Sequence, residues 1–255
     1  MSSPTDASTS AAPVVRILTL FPDMIRAVLA TSILGRASKQ GQVRYEVTDI
    51  RDFAVDKHRT VDDTAYGGGA GMIMMAPPIV EAVEAVREND DATVILTTPQ
   101  GRLLDEDLTL DLRNELETVG ELILVCGHYK GIDERARELV VTREVSIGDY
   151  VLTGGELPAL VVTDAIVRRM EGVLHNDESA NNDSFTDRRE GGLDCQWYTK
   201  PPEYRGLGVP AILLSGHHAK IEQWRAAQAA ERTRIRRPDL VAPDPGGNGN
   251  DDADG

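Results

Sequence analysis

The sequence predicts an α/β fold built on a mostly parallel sheet. Short runs of continuous apolar, β-branched residues recur along the first two thirds of the chain, which is how strands buried on both faces read. Between them, apolar residues repeat at helical spacing, so strands and helices alternate. A third observation points to where such a sheet would act. Polar turns at 98–101, 127–135 and 148–158 each follow a strand, and open α/β sheets bind ligands beyond the carboxyl ends of their strands.

The elements follow in order. Residues 1–13, rich in Ser, Thr and Ala, read as a disordered leader. Val14 to Phe21 reads as a buried strand. Pro22-Asp23 opens one helix carrying Met24, Ile25, Val28, Leu29 and Ile33. Val43 to Ile50 alternates like a second strand, so the chain begins as a βαβ unit. The segment from Asp56 to Met72, with Gly67, Gly68, Gly69 and Gly71, lacks periodicity and is expected to be a functional loop. It has no Gly-Lys-Ser/Thr ending and no dinucleotide fingerprint, which argues against a nucleotide site. Pro78–Glu88 is expected as a helix, Thr93–Thr98 as a strand stopped by Pro99-Gln100-Gly101, and Asp105–Leu116 as a helix. Glu121–Cys126 is a strand, followed by a long turn to Arg135. Val140 to Ile147 leads into Ser146-Ile147-Gly148-Asp149-Tyr150-Val151-Leu152-Thr153-Gly154-Gly155-Glu156-Leu157-Pro158, a glycine-rich loop opening onto the helix that runs to Met170. Glu156 and Pro158 suit a first helical turn, and backbone groups there can hold a polar ligand.

Beyond Met170 the character changes. Residues 14–173 form the α/β domain, 174–187 read as a linker, 188–242 as a small, mainly helical domain with His217–Arg232 as its helix, and 243–255 as a disordered acidic tail. Six basic residues lie between Lys220 and Arg237 against Glu222 and Glu231.

Composition narrows the function. The 255 residues carry 27 basic and 42 acidic side chains, a net charge of −15, and only 5 of the basic residues are lysines. Such acidity opposes non-specific nucleic-acid binding and suits a salty cytoplasm, where screening shortens the reach of surface charge. No apolar run is long enough to span a membrane, and the N-terminus has no basic and apolar signal pattern. Cys126 and Cys195 are too few for a disulfide framework; Cys126, ending an apolar strand, reads as a core thiol in a reducing cytoplasm.

Five motifs stand in register: His58-Arg59-Thr60-Val61-Asp62-Asp63, Tyr66 to Met72, Gly131-Ile132-Asp133-Glu134-Arg135, Ser146 to Pro158, and Asp183-Ser184-Phe185. Together the chain resembles the bacterial tRNA (guanine-N1)-methyltransferases of the SPOUT superfamily, from about Val15 to Leu240. The resemblance implies a parallel sheet with a deep trefoil knot, which connection rules alone would exclude. It implies S-adenosylmethionine as methyl donor, tRNA as substrate at N1 of the guanine 3′ of the anticodon, and a homodimer with shared active sites.

The resemblance also implies roles. Pro99, Gln100 and Gly101, then Gly127 and Tyr129, then Ile147, Gly148, Tyr150, Leu152, Gly154, Gly155 and Pro158 would hold the cofactor. Asp183 would take the guanine N1 proton and Arg168 would stabilise the negative charge that develops; Arg169, about 100° round the helix, is expected in a surface ion pair. Ser184, His58, Arg59, Asp63 and Arg188 would contact substrate, with Arg188-Arg189 and the basic helix on phosphates. Lys130 and His128 stand where the family commonly has glutamate and arginine, so Lys130 is left outside the catalytic set. The sequence indicates no metal site, and it leaves open whether a divalent ion such as Mg assists the deprotonation. A ribose 2′-O-methyltransferase of the same superfamily would need no base for an N1 proton, and an RNA-binding module without catalysis would have no use for Gly154-Gly155, Arg168 and Asp183.

Overall fold

Strand-forming runs and helical stretches alternate in the structure, a computed structural model that describes residues 11–174 and 183–241. The chain divides into two compact units, Met1–His175 and Asn176–Gly255. The first unit runs β1 (Val14–Thr19), α1 (Pro22–Leu29), α2 (Ser32–Lys39), β2 (Arg44–Asp49), β3 (Asp62–Thr64), β4 (Met72–Met74), α3 (Ala76–Val86), β5 (Thr93–Leu103), α4 (Glu106–Val119), β6 (Glu121–Cys126), α5 (Glu134–Val140), β7 (Arg143–Ser146) and α6 (Glu156–Val167). Five strands form one sheet in the order β2-β1-β6-β5-β7, and every pairing is parallel.

Side-chain alternation explains why the central strands are apolar throughout. Ile17, Leu122, Leu124 and Ile95 face a core filled by Ile25, Leu34, Leu112, Leu116, Val162 and Ile166 from α1, α2, α4 and α6. Leu18, Ile123, Val125 and Leu96 face the opposite core, with Ile79, Ala82, Val83, Ala136 and Val140 from α3 and α5. A strand buried on both faces has no polar side to show. The buried charge is compensated: Arg16 of β1 is 4% exposed and pairs with Glu121 at 2.6 Å, Glu88 at 2.7 Å and Glu46. Glu121 also accepts the backbone N–H groups of Glu88 and Asn89.

Several boundaries differ from the sequence reading. The helix after Pro22 is two helices broken at Ala30-Thr31, and it leaves Met24 and Val28 exposed. Strand β5 does not stop at Pro99; it bulges over 98–101 and resumes, so Thr97 and Arg102 both pair with Val145. Gly101 makes this possible, because a Cβ there would lie 2.3 Å from the Val145 nitrogen. The expected long turn after Cys126 ends in α5, capped by Asp133, whose carboxylate accepts the Arg135 N–H. Within the 56–72 loop, Asp62–Thr64 and Met72–Met74 pair as an antiparallel hairpin. Its Gly67, Gly68, Gly69 and Gly71 all take positive φ, which side chains disfavour.

The second unit holds a short hairpin, β8 (Glu203–Tyr204) with β9 (Leu207–Gly208), and a 19-residue helix, α7 (His218–Arg236). Residues 1–10, 175–182 and 242–255, which include most of the expected leader, linker and tail, lie outside the described residues.

Candidate active site

Three turns at the carboxyl ends of β5, β6 and β7 meet around one cavity of about 420 Å³. Eleven of the twelve residues expected at a cofactor line it: Pro99, Gln100, Gly127, Tyr129, Ile147, Gly148, Tyr150, Leu152, Gly154, Gly155 and Pro158. The twelfth, Gly101, does not; it lies against the β7 backbone and shapes the bulge that carries Pro99 and Gln100.

Local bonds fix each turn. The Gly155 N–H donates to the Gly127 carbonyl at 2.7 Å, tying the third turn to the second. A Cβ on Gly155 would meet the Thr97 hydroxyl at 2.5 Å and the Cys126 Cα at 2.8 Å, so only glycine fits. At Gly148 φ is +147°, the Tyr150 ring folds back over the Cα, and the Tyr150 hydroxyl donates to the Ile147 carbonyl at 3.0 Å. Gly154, by contrast, does not take a positive φ; the reason for glycine there is crowding, since a Cβ would lie 2.4 Å from Glu156 Oε2 and 2.7 Å from His128 Nδ1. Gln100 is held by the Arg137 guanidinium at 2.6 Å, and Arg137 is itself paired with Glu144 at 3.4 Å.

Beneath the third turn, the buried Glu156 carboxylate accepts the Thr19 hydroxyl at 2.8 Å, and Thr19 in turn accepts the Phe21 N–H. An anion at the start of α6 is favoured by the helix dipole. Burial, reinforced by the Glu156 charge, pushes the Cys126 thiol well above its ordinary pKa.

Sequence reasoning missed part of the lining. His128, Lys130, Glu134 and Arg137 all border the cavity. Lys130 was set aside for its departure from the family pattern; Glu134 was read as part of the turn, and Arg137 lies on α5, which the sequence reading did not identify. The His128 ring sits 5.0 Å from Phe21 and 4.8 Å from Tyr129, and its Nδ1 is buried without a hydrogen-bond partner. Tyr129 adopts a φ of +58°, rare for a residue with a side chain. The β3–β4 hairpin forms one wall: Ile73 borders the cavity, and the Lys130 N–H donates to the Met72 carbonyl.

The remaining expected residues stand elsewhere. Arg168 follows the last residue of α6, and twelve helical residues rise about 18 Å, so it does not line the cavity. Arg169 makes an ion pair with Glu106 at 2.9 Å, but a largely buried one rather than the surface pair expected. His58 and Arg59 are exposed on the approach to the hairpin and Asp63 is exposed on its strand β3, and none of the three lines the cavity. Arg59 pairs with Asp49 at 3.1 Å and with Asp52, and the Asp63 carboxylate accepts the Thr64 N–H at 2.7 Å.

In the second unit, the Asp183 carbonyl accepts the Thr186 hydroxyl at 2.8 Å, and the Ser184 hydroxyl accepts the Asp194 N–H at 2.9 Å. The side chain of Arg188 lies outside the described residues. Arg189, expected on phosphate, is instead held by Asp194 at 2.7 Å. On α7, Arg225 and Arg234 pair with Glu222 and Glu231 and Arg232 donates to Gln196, and just beyond it Arg237 pairs with Asp239, so at least four of the six expected basic residues are engaged locally. Among the described residues no helix is long and apolar enough to cross a membrane, and no three His, Cys, Asp or Glu side chains cluster as metal ligands do.

Comparison with known proteins bears on what this cavity serves. Residues 14–243 match the family model described as tRNA (Guanine-1)-methyltransferase TrmD. The chain is 51% identical over 228 residues to a tRNA (guanine-N(1)-)-methyltransferase of Chloroflexus aggregans, covering 89% of this chain and 86% of the relative. It is 52% identical over 226 residues to the protein of that name from Lachnospira eligens, covering 88% and 93%. The figure for Geobacter sulfurreducens is also 52% over 226 residues, covering 88% and 89%. With the match running through both units and nearly the whole length of each relative, the chain belongs to the tRNA (guanine-1)-methyltransferase TrmD family.

Proposed function

We propose that this chain transfers a methyl group from S-adenosylmethionine to N1 of the guanine 3′ of the anticodon in tRNA, in the cytoplasm. The observation that carries the reading is the meeting of three turns, two of them glycine-bearing at the cavity wall, around one cavity at the carboxyl ends of β5, β6 and β7, in a member of this family. The residues fit the cofactor. Ile147, Leu152 and Pro158 offer apolar walls, the turns offer backbone groups, and the buried, unpartnered Nδ1 of His128 awaits a polar contact. S-adenosylmethionine, when bound, would supply a methyl group on a sulfonium sulfur, with the neutral thioether as the leaving group once that sulfur–methyl bond breaks.

The chain's own residues do the rest. Guanine N1 carries a proton and is a poor nucleophile until that proton leaves. The Asp183 carboxylate accepts it, leaving the electron pair on N1 to form the new bond to carbon. Arg168 stabilises the negative charge that spreads over the base, acting by preorganised charge. The position of Arg168 at the far end of α6 supports a composite site in a two-fold dimer. In it, Arg168 and Asp183 of one subunit would serve the cavity of its partner. The tight passage of Gly155 beside Thr97, Cys126 and Gly127 supports reading 98–158 as the trefoil knot, with 188–242 as the tRNA-binding domain. His58, Arg59, Asp63, Ser184 and Arg188 are assigned to the RNA side.

The test is equilibrium binding of S-adenosylmethionine, followed by methyl transfer to tRNA transcripts bearing guanine or adenine 3′ of the anticodon. Cofactor binding with N1-methylguanine formed only on the guanine transcript is expected. Methylation of both transcripts alike, or of a ribose hydroxyl, would contradict the reading.

A further inference from the structure

The second unit contains a cavity of its own, of about 420 Å³, that no assigned role uses. Trp197, Tyr198, Lys200, Leu213, Leu214 and Arg225 are among its walls. In a chain of net charge −15, its lining holds no carboxylate and two cations, Lys200 and Arg225, the latter paired with Glu222 at 2.7 Å. The Arg225 guanidinium lies over one face of the Trp197 ring, 4.4 Å from its centre. Trp197 is nonetheless 60% exposed, which leaves its other face open.

This indole is held rather than loose. Its Nε1–H donates to Asp194 Oδ2 at 2.6 Å. Asp194 is fixed by Arg189 at 2.7 Å and donates its own N–H to Ser184, the neighbour of Asp183. Gln196 is bonded to Gln228 on α7 at 2.7 Å. An oriented aromatic face flanked by cations is the combination with which proteins hold unstacked bases of single-stranded nucleic acid. A protein partner would more commonly meet a neutral apolar core with charges at its rim.

We propose that this cavity binds an unstacked base of the RNA substrate on the open face of Trp197, with Lys200 against the adjoining phosphate. The proposal rests on the reading of the chain as a tRNA-modifying enzyme. The Asp194 bridge to Ser184 gives it a consequence: the bound base is registered against the segment carrying Asp183.

The 255-residue chain carries two tryptophans, so a Trp224→Phe background leaves Trp197 as its sole indole emitter. Titration with single-stranded hexa-adenylate is expected to quench this emission saturably, and inorganic phosphate is expected not to. With tRNA transcripts, Trp197→Ala is expected to weaken binding about five- to hundredfold, the loss of one base stack, while Trp197→Phe stays within about threefold of wild type. Cofactor affinity is expected to be unchanged in both. Absence of quenching, or a Trp197→Ala variant that binds tRNA within about twofold of wild type, overturns the proposal. So does a Trp197→Phe variant as weak as Trp197→Ala. A change of oligomeric state in Trp197→Ala would make the cavity a protein interface and would also overturn it. Saturable quenching in a chain that fails to methylate tRNA would support the cavity while sinking the proposed reaction, so the two failures are distinguishable.

Discussion

Gly154 shows at the residue scale how a glycine can line the expected cavity for a reason other than the one its sequence context suggests. From sequence, a glycine in such a loop suggests positive φ. In the structure its place is set by Glu156 Oε2 and His128 Nδ1, which crowd the position where a Cβ would be. The crowding atoms are ends of side chains that can move, so Gly154→Val is expected to fold while filling the cavity floor. S-adenosylmethionine affinity measured by calorimetry should be lost; an unchanged dissociation constant in the folded variant would remove this turn from the cofactor site. Asp183→Asn is expected to keep cofactor affinity and to lower methyl transfer about 10²–10⁴-fold, the usual contribution of a general base. A rate close to wild type at saturating tRNA would hand the proton to another group. Cys126 is buried and its thiol is held in the protonated form by burial and by Glu156. It should therefore resist a thiol reagent at neutral pH until the protein unfolds, and rapid labelling of native protein at Cys126 would contradict this packing.

The parallel strands were legible at the element scale because burial on both faces leaves continuous apolar runs. Glu121–Cys126 was read to the residue. Two features escaped. The bulge of β5 depends on contact between Gly101 and the β7 backbone, more than 40 residues away, and no local pattern encodes such a contact. Helix α5 spans seven residues, too few for a helical repeat to show against the turn motif that precedes it. The buried charge at Arg16 was equally invisible, since its three carboxylates arrive from β2, β6 and the residues after α3. Replacing Arg16 by Met would leave Glu121 buried without its cation. A loss of about 3–5 kcal/mol in unfolding free energy is expected, measurable by urea denaturation. A loss below about 1 kcal/mol, the scale of an exposed pair, would mean that Glu121 is satisfied by the backbone N–H groups alone.

At the scale of the whole molecule, the charge of −15 sets two opposite responses to salt. Self-repulsion weakens as the screening length falls from about 10 Å at 0.1 M to about 3 Å at 1 M, so the melting temperature is expected to rise over that range. Affinity for tRNA is expected to fall over the same range, as counterion release weakens. A melting temperature that drops steadily with salt would contradict the first. The family was legible from five motifs in order, whereas the proposed sharing of one site between two subunits is a matter for experiment. Subunit mixing tests it most directly. Asp183→Asn and Gly154→Val proteins, each inactive alone, are combined under conditions that exchange subunits. Random pairing makes about half of the dimers mixed. If the site is composite, each mixed dimer has one site with both defects and one with neither, and activity returns to about a quarter of wild type. If Asp183 and the cofactor turns of one chain serve the same site, every mixed dimer stays defective. Complete inactivity after confirmed exchange would contradict the account.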